Sequence, residues 1–179
     1  MRRIIPSIGL ATLATLVVAC TSEEPTRRVQ WGQGMLDMVI SQSWQLEADD
    51  EEGRVFTHGD LRGVTLHVTG ETERFGHPLR VTDVKTMLGK ELNLEYGGVS
   101  SRVSFGGNAM IKYVRELEDE DDQPIHCEEW VLAKPVGYGD FARVEISLRM
   151  SPEKRSRPEV QALIDALDKR VGDATIPRA

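Results

Sequence analysis

The chain has 179 residues, 40% hydrophobic and 28% charged, with 22 Lys and Arg against 29 Asp and Glu for a net charge of −7. That length and apolar content suit one domain with its own core and exclude a wholly disordered chain. The acidic balance argues against broad electrostatic contact with nucleic acid or with anionic lipid headgroups.

The first segment in chain order is an address and not part of a fold. Met1-Arg2-Arg3 leads into an apolar run, Ile4 to Val18, that closes on Val17-Val18-Ala19-Cys20. A basic start, an apolar stretch too short to span a bilayer comfortably and small residues before a cut are the marks of a secretory signal. A cysteine directly after those small residues resembles a bacterial lipobox. That resemblance implies cleavage after Ala19 and a diacylglyceryl group on the Cys20 thiol. Because Thr21 and not Asp follows, it also implies passage to the periplasmic side of the outer membrane. Each buried methylene contributes ~0.8 kcal/mol, so two or more acyl chains hold a protein firmly. Removing residues 1–19 leaves 160 residues and takes Arg2 and Arg3 with it, so the side-chain charge becomes about −9. The division expected is a signal peptide over 1–19, a lipidated tether over 20–34, one domain over 35–172 and a tail over 173–179. With Cys20 acylated, Cys127 is the remaining cysteine and cannot close an intramolecular disulfide. It is expected to be a small buried strand residue.

From Met35 onward the apolar period is mostly two, the signature of antiparallel strands. Val64, Leu66 and Val68 alternate with Thr65, His67 and Thr69. Gly59-Asp60-Leu61-Arg62-Gly63 separates them from Arg54–His58, which predicts a hairpin. A first helix is predicted over Thr82–Leu92 from the spacing of Val84, Leu88 and Leu92, with Gly89 costing it about 1 kcal/mol relative to alanine. Ile125 to Ala133 is apolar on both faces, Cys127 and Val131 on one and Trp130 and Leu132 on the other, which predicts a central strand. From Phe141 to Met150 the pattern gives one buried face, Ala142, Val144, Ile146, Leu148 and Met150, and one wet face, Arg143, Glu145, Ser147 and Arg149. Ser156-Arg157-Pro158-Glu159 reads as a capping box opening a second helix. Its stripe is Val160, Leu163, Ile164, Leu167 and Val171, and Gly172 is placed to end it.

The candidate chemistry is sparse. The four histidines are His58, His67, His77 and His126, with no pair at helical ligand spacing. His58 and His67 lie on neighbouring predicted strands, and with Asp60 they form the one cluster that would mark an enzyme. His126 and Cys127 are adjacent in a strand and point to opposite faces, so they cannot act together. Ser151-Pro152-Glu153-Lys154 matches a bare Ser-x-x-Lys, but the companion motifs of penicillin-binding enzymes are missing and the proline opposes the helix that serine needs. Gly97-Gly98 and Gly106-Gly107 fit no nucleotide-binding loop and read as turns. Two acidic clusters stand out: Glu47 with Asp49 to Glu52, and Glu116 with Glu118 to Asp122. The second ends in Gln123-Pro124 and reads as an exposed hairpin tip. It lacks the spaced ligands of a calcium loop and suits contact with a basic partner. Arg149, Lys154, Arg155 and Arg157 form a smaller basic patch. Catalytic, metal and cofactor sites are accordingly expected to be none.

The element order, with Trp44 at a strand start and Trp130 inside another strand, resembles the PsbP-like fold. So does the run from Arg143-Val144-Glu145-Ile146-Ser147 into Pro158-Glu159-Val160-Gln161-Ala162-Leu163-Ile164. Within that fold the chain is similar to bacterial DcrB-like lipoproteins. The resemblance implies a single α+β domain, an antiparallel β-sheet packed with two helices as an α/β/α sandwich. It also implies roles in binding or assembly, with no shared catalytic residue set. Strand order around residues 93–108 stays open. The functional expectation is a membrane-tethered binding or assembly factor of the cell envelope, of which an immunity-type protein is one form. It would be held to the membrane through lipid on Cys20 and contact an envelope protein rather than nucleic acid. The alternative is a periplasmic enzyme.

Overall fold

The computed structural model describes residues 25–31, 35–49 and 53–177. The signal segment, Cys20 and the acidic residues 50–52 lie outside the described residues. Strands β1 (Thr26–Trp31) and β2 (Leu36–Ser41) form an antiparallel ribbon. A seven-stranded antiparallel sheet follows: β3 (Trp44–Asp49), β4 (Arg54–His58), β5 (Val64–Arg74), β6 (Ser100–Val103), β7 (Ala109–Glu118), β8 (Pro124–Pro135) and β9 (Asp140–Met150). Its order is β3-β4-β5-β9-β8-β7-β6. Helix α1 (Val81–Glu95) sits between β5 and β6 in the chain, and α2 (Pro158–Asp173) follows β9 after a single 3-10 turn at Pro152–Lys154. No described helix is long and apolar enough to cross a membrane.

The alternation expected in β5 and β9 is what lets each carry two different faces. The two strands pair along all 11 residues, so Leu66 lies against Leu148 and Val68 against Ile146. Val160, Ile164, Leu167 and Val171 of α2 pack on that row together with Trp130, Leu132 and the ribbon's Leu36, Met38 and Ile40. On the opposite face Val84, Leu88 and Leu92 of α1 pack against Ala109, Ile111, Val131, Ala133 and Phe141. Strand β8 contributes to both cores and is interior to the sheet, as its two-sided apolar pattern predicts. The sheet therefore has one helix on each face.

Four expectations are corrected. The tether does not extend through residue 34, because Thr26–Trp31 is paired strand with Val29 buried. Residues 173–177 are not a loose tail. Thr175 exchanges two backbone hydrogen bonds of 2.9 Å with Asp37, and Ala174 and Ile176 are buried. The capping box does not form: Pro158 holds Arg157 extended, so Arg157 becomes the N-cap and Glu159 falls at the second helical position instead of the third. The basic patch is dispersed: Arg149 lies on the α1 face, whereas Arg155 bonds Glu128 on the other and Lys154 donates to the carbonyl of Arg62. The open stretch 93–108 resolves into the last turn of α1, a Gly97-Gly98 turn with φ of 68° and 59°, and the short edge strand β6.

Candidate functional site

Helix α1 lies over β6, β7 and β8 and reaches β9 at Phe141, while on the same face of β5 Thr65 and His67 are half-buried and Thr69 and Glu71 are exposed. Register assigns the side chains there. One row across the sheet is Val55, His67, Ser147, Glu129 and Tyr113. The next is Thr57, Thr65, Arg149, Cys127 and Arg115. Cross-strand neighbours on one face stand about 5 Å apart at Cβ, so these polar groups meet.

Glu129 is the centre of this face and is 1% exposed. Its Oε1 accepts from Arg115 Nε at 2.7 Å and from the Ser147 hydroxyl at 2.9 Å, and Ser147 Oγ in turn accepts from Arg149 Nε at 3.1 Å. Burial pushes the Glu129 carboxyl above the usual carboxylate range even against the pull of Arg115. Burial, with Arg149 nearby, pushes His67 down to about 4, so its imidazole is neutral at pH 7 and shares a 3.0 Å hydrogen bond with Thr65 Oγ1. Cys127 is fully buried as expected, and burial followed by the Glu129 charge pushes its thiol up, leaving a poor nucleophile.

The order within the row decides what chemistry is open to it. Relay from a serine to a carboxylate needs the imidazole between them. Here Ser147 stands between His67 and Glu129 and spends its hydrogen on Glu129, while His67 turns to Thr65. The three residues tie the sheet together and do not form an activated nucleophile.

The other histidines are kept apart. His58 packs edge-on to Trp44 with ring centroids 4.9 Å apart, on the α2 face, and its Nδ1 accepts from the Asp60 N–H at 3.2 Å. His67 is on the α1 face, so the cluster of His58, His67 and Asp60 is not assembled. His77 is exposed beside Phe75. His126 faces α2, bonded through Nδ1 to Glu116 at 2.8 Å, while Cys127 faces α1 as strand geometry requires. Among the described residues no three His, Cys, Asp or Glu side chains converge on a metal position.

The α2 face carries a second set of charges that sequence reasoning missed. Glu128, 2% exposed, takes Arg155 Nε at 2.7 Å and His126 Nε2 at 3.3 Å. Asp168 on α2 accepts from Trp130 Nε1 and from Arg102 Nη2, each at 2.9 Å, with Lys112 Nζ at 3.5 Å. The visible signal was Glu128-Glu129 inside an otherwise apolar strand, since charge there must find a partner on each face.

The second acidic cluster forms a hairpin tip, as expected. The Asp119 carboxylate is used within it, accepting from the backbone of Asp121 at 2.9 Å and of Gln123 at 2.8 Å. Asp122 is left-handed at φ 57°. Glu118, Glu120, Asp121 and Asp122 are exposed. In the first cluster Asp49 pairs with Arg54 at 2.9 Å and Glu47 is exposed. The β7–β8 tip shares its end of the sheet with the first described residue: Pro25 bonds Gln42, Ser43 bonds Gly59, and the β4–β5 turn ends beside Val64, in line with Met150 and His126. A groove of about 770 Å³ lies between the ribbon and α2, bordered by Met38, Val39, Ala166 and Lys169.

No protein-family profile matches the sequence, and neither does any curated protein. Solved structures do resemble it. The PsbP protein of the cyanobacterium Synechocystis sp. aligns with a TM-score of 0.52 at 13% identity, over 90% of this chain and 99% of its own. LpqN of Mycobacterium tuberculosis aligns with a TM-score of 0.51 at 13% identity, over 86% and 91%. A Bacteroides thetaiotaomicron protein aligns with a TM-score of 0.56 at 10% identity, over 84% of this chain and 48% of its own. An antiparallel sheet with one helix on each face, in one α+β domain, is thus the PsbP-like fold.

Proposed function

We propose that the protein is a lipid-anchored binding or assembly factor of the cell envelope, similar to DcrB-like lipoproteins, whose acidic β7–β8 tip engages a basic protein partner. The observation that carries this reading is the allocation of charge. On the α1 face of the sheet Arg115 pairs with Glu129, Arg143 pairs with Glu73 and Glu145, and His67 stays neutral, whereas Glu118, Glu120, Asp121 and Asp122 project from a hairpin tip. Support for the setting comes from LpqN, described as involved in cell envelope biogenesis. Support for the anchor comes from Val17-Val18-Ala19-Cys20 and, for the outer membrane, from Thr21.

Two experiments test this. Mass spectrometry of the mature N-terminus is expected to find acyl mass on Cys20, and a free amino terminus at any other residue refutes the anchor. For the partner, cross-linking and pull-down of the lipidated protein supplies the ligand. Changing Glu118, Glu120, Asp121 and Asp122 to their amides, with Asp119 kept for the turn, is then expected to slow association and flatten its salt dependence. Unchanged association across ionic strength refutes the electrostatic role. Turnover of an envelope metabolite that is lost on changing His67 overturns the binding reading in favour of an enzyme.

A further inference from the structure

We infer that the outer edge of β7, from Val114 to Glu118, is a docking edge that takes an extended basic segment of the partner as an added strand. This rests on the binding reading above and supplies its mode.

The backbone establishes the edge. Asp119 N–H donates to Gln123 O at 3.0 Å, so the odd-numbered residues of β7 direct their N–H and C=O toward β8. Ser104 N–H donates to Asn108 O at 2.8 Å, so the even-numbered residues face β6. Strand β6 ends at Ser100, opposite Lys112. Beyond that point the N–H and C=O groups of Val114, Glu116 and Glu118 face outward, and none has a partner on that side among the described residues. Unpaired edges template strand addition unless something guards them.

The approach to this edge is open. A groove of about 450 Å³ at its start is bordered by Tyr96, Gly97, Gly98, Tyr113 and Val114. Neither glycine places a side chain in the way, and Val114 is 44% exposed. What guards the edge also selects its occupant. Glu116, with 59% of its side chain exposed, and Glu118 stand on one face of the strand and continue into the acidic tip. A second copy pairing edge to edge would set these carboxylates against each other, and an acidic strand would do the same. A strand with Lys or Arg at alternate positions places each cation about 5 Å from a glutamate at Cβ. The occupant is therefore a basic, extended protein segment.

The test uses the mature lipidated protein in detergent micelles and a synthetic peptide alternating Lys with Val, beside the same peptide N-methylated at every second residue, in both phases. N-methylation keeps the charge and removes the donors. The unmodified peptide is expected to bind and to slow amide hydrogen exchange within residues 113–118. One N-methylated phase is expected to bind about tenfold more weakly, the loss of one or two net backbone hydrogen bonds. Val114→Pro removes an N–H that the fold does not use, on an edge where proline is tolerated, and is expected to weaken the peptide by a similar factor. Equal binding by all peptides, unchanged exchange at 113–118, or no binding of any peptide overturns strand addition. If charge neutralisation of the tip still slows association of the native partner in that case, the acidic-tip reading survives without it. Loss of both overturns both.

Discussion

Replacing Leu167 with alanine separates the buried stripe of α2 from its flank. Leu167 is 1% exposed in the core under α2, whereas Leu163, one turn earlier, is only partly buried at its margin. Three carbons leave the core at Leu167, and at ~0.8 kcal/mol each that is roughly 2.5 kcal/mol of lost transfer energy. A residual void of about 70 Å³ at ~24 cal/mol per Å³ adds roughly 1.7 kcal/mol, for a total near 4 kcal/mol. Leu163→Ala loses about half the transfer energy and opens no closed void, so roughly 1 kcal/mol is expected. Urea unfolding of the unlipidated domain, with a slope of about 2 kcal/mol per molar, turns the first into a midpoint drop of ~2 M and the second into ~0.5 M. Two variants that lose stability equally would show that the helix is rotated from the described packing.

His67 predicts an acid limb. Its folded pKa of about 4 lies below the unfolded 6.5, so the unfolded chain takes up the proton first. The stability contributed by the neutral imidazole is complete above pH 6.5 and is lost as pH falls toward 4, and thermal melts of His67→Gln should lose less over that window than wild type. The Glu129 carboxyl, raised by burial, works in the opposite sense and is common to both proteins, so a parallel acid limb in the two would refute the assignment. Cys127, fully buried with a raised thiol pKa, should resist a thiol reagent in a Cys20→Ser domain until denaturant is added; stoichiometric labelling of the native state would contradict it. At Gly106 an added Cβ would lie 1.8 Å from Ala174 O, so Gly106→Ala should release the last residues to proteolysis and cost roughly 2–4 kcal/mol. Trimming no faster than in wild type would show that the segment docks by other contacts.

The parts of this fold that could be read from the residues are those where burial alternates with exposure. Strands β5 and β9 each carry a different solvent environment on each face, and β8 is apolar on both because both helices reach it. Strand β6 left no trace, since all four of its residues are exposed and its formation depends on hydrogen bonds to β7 alone. Strand β1 was hidden for a similar reason, with Val29 its one buried side chain among those described. The cap of α2 falls one residue beyond the serine that marks it in the sequence, because Pro158 constrains the backbone of Arg157 before it. For the site, the acidic tip was legible from Gln123-Pro124 and the charge run. The partnership of Glu129 with Arg115 and Ser147 joins three strands, and only pairing register brings them together.

The shared end of Pro25 and the acidic tip has a consequence for how a partner is met. With Cys20 acylated as proposed, four residues lie between Cys20 and Pro25, and the five Cα–Cα steps across them reach about 18 Å at most. The tip is thereby held on the bilayer side of the domain, where anionic headgroups repel it and where a protein in the same leaflet passes within range. Encounter becomes a lateral search on a surface rather than diffusion through a volume, and the local concentration of each party rises without any added contact. A weak edge contact of a few hydrogen bonds, too slight to persist between free proteins, then suffices for neighbours confined to one membrane.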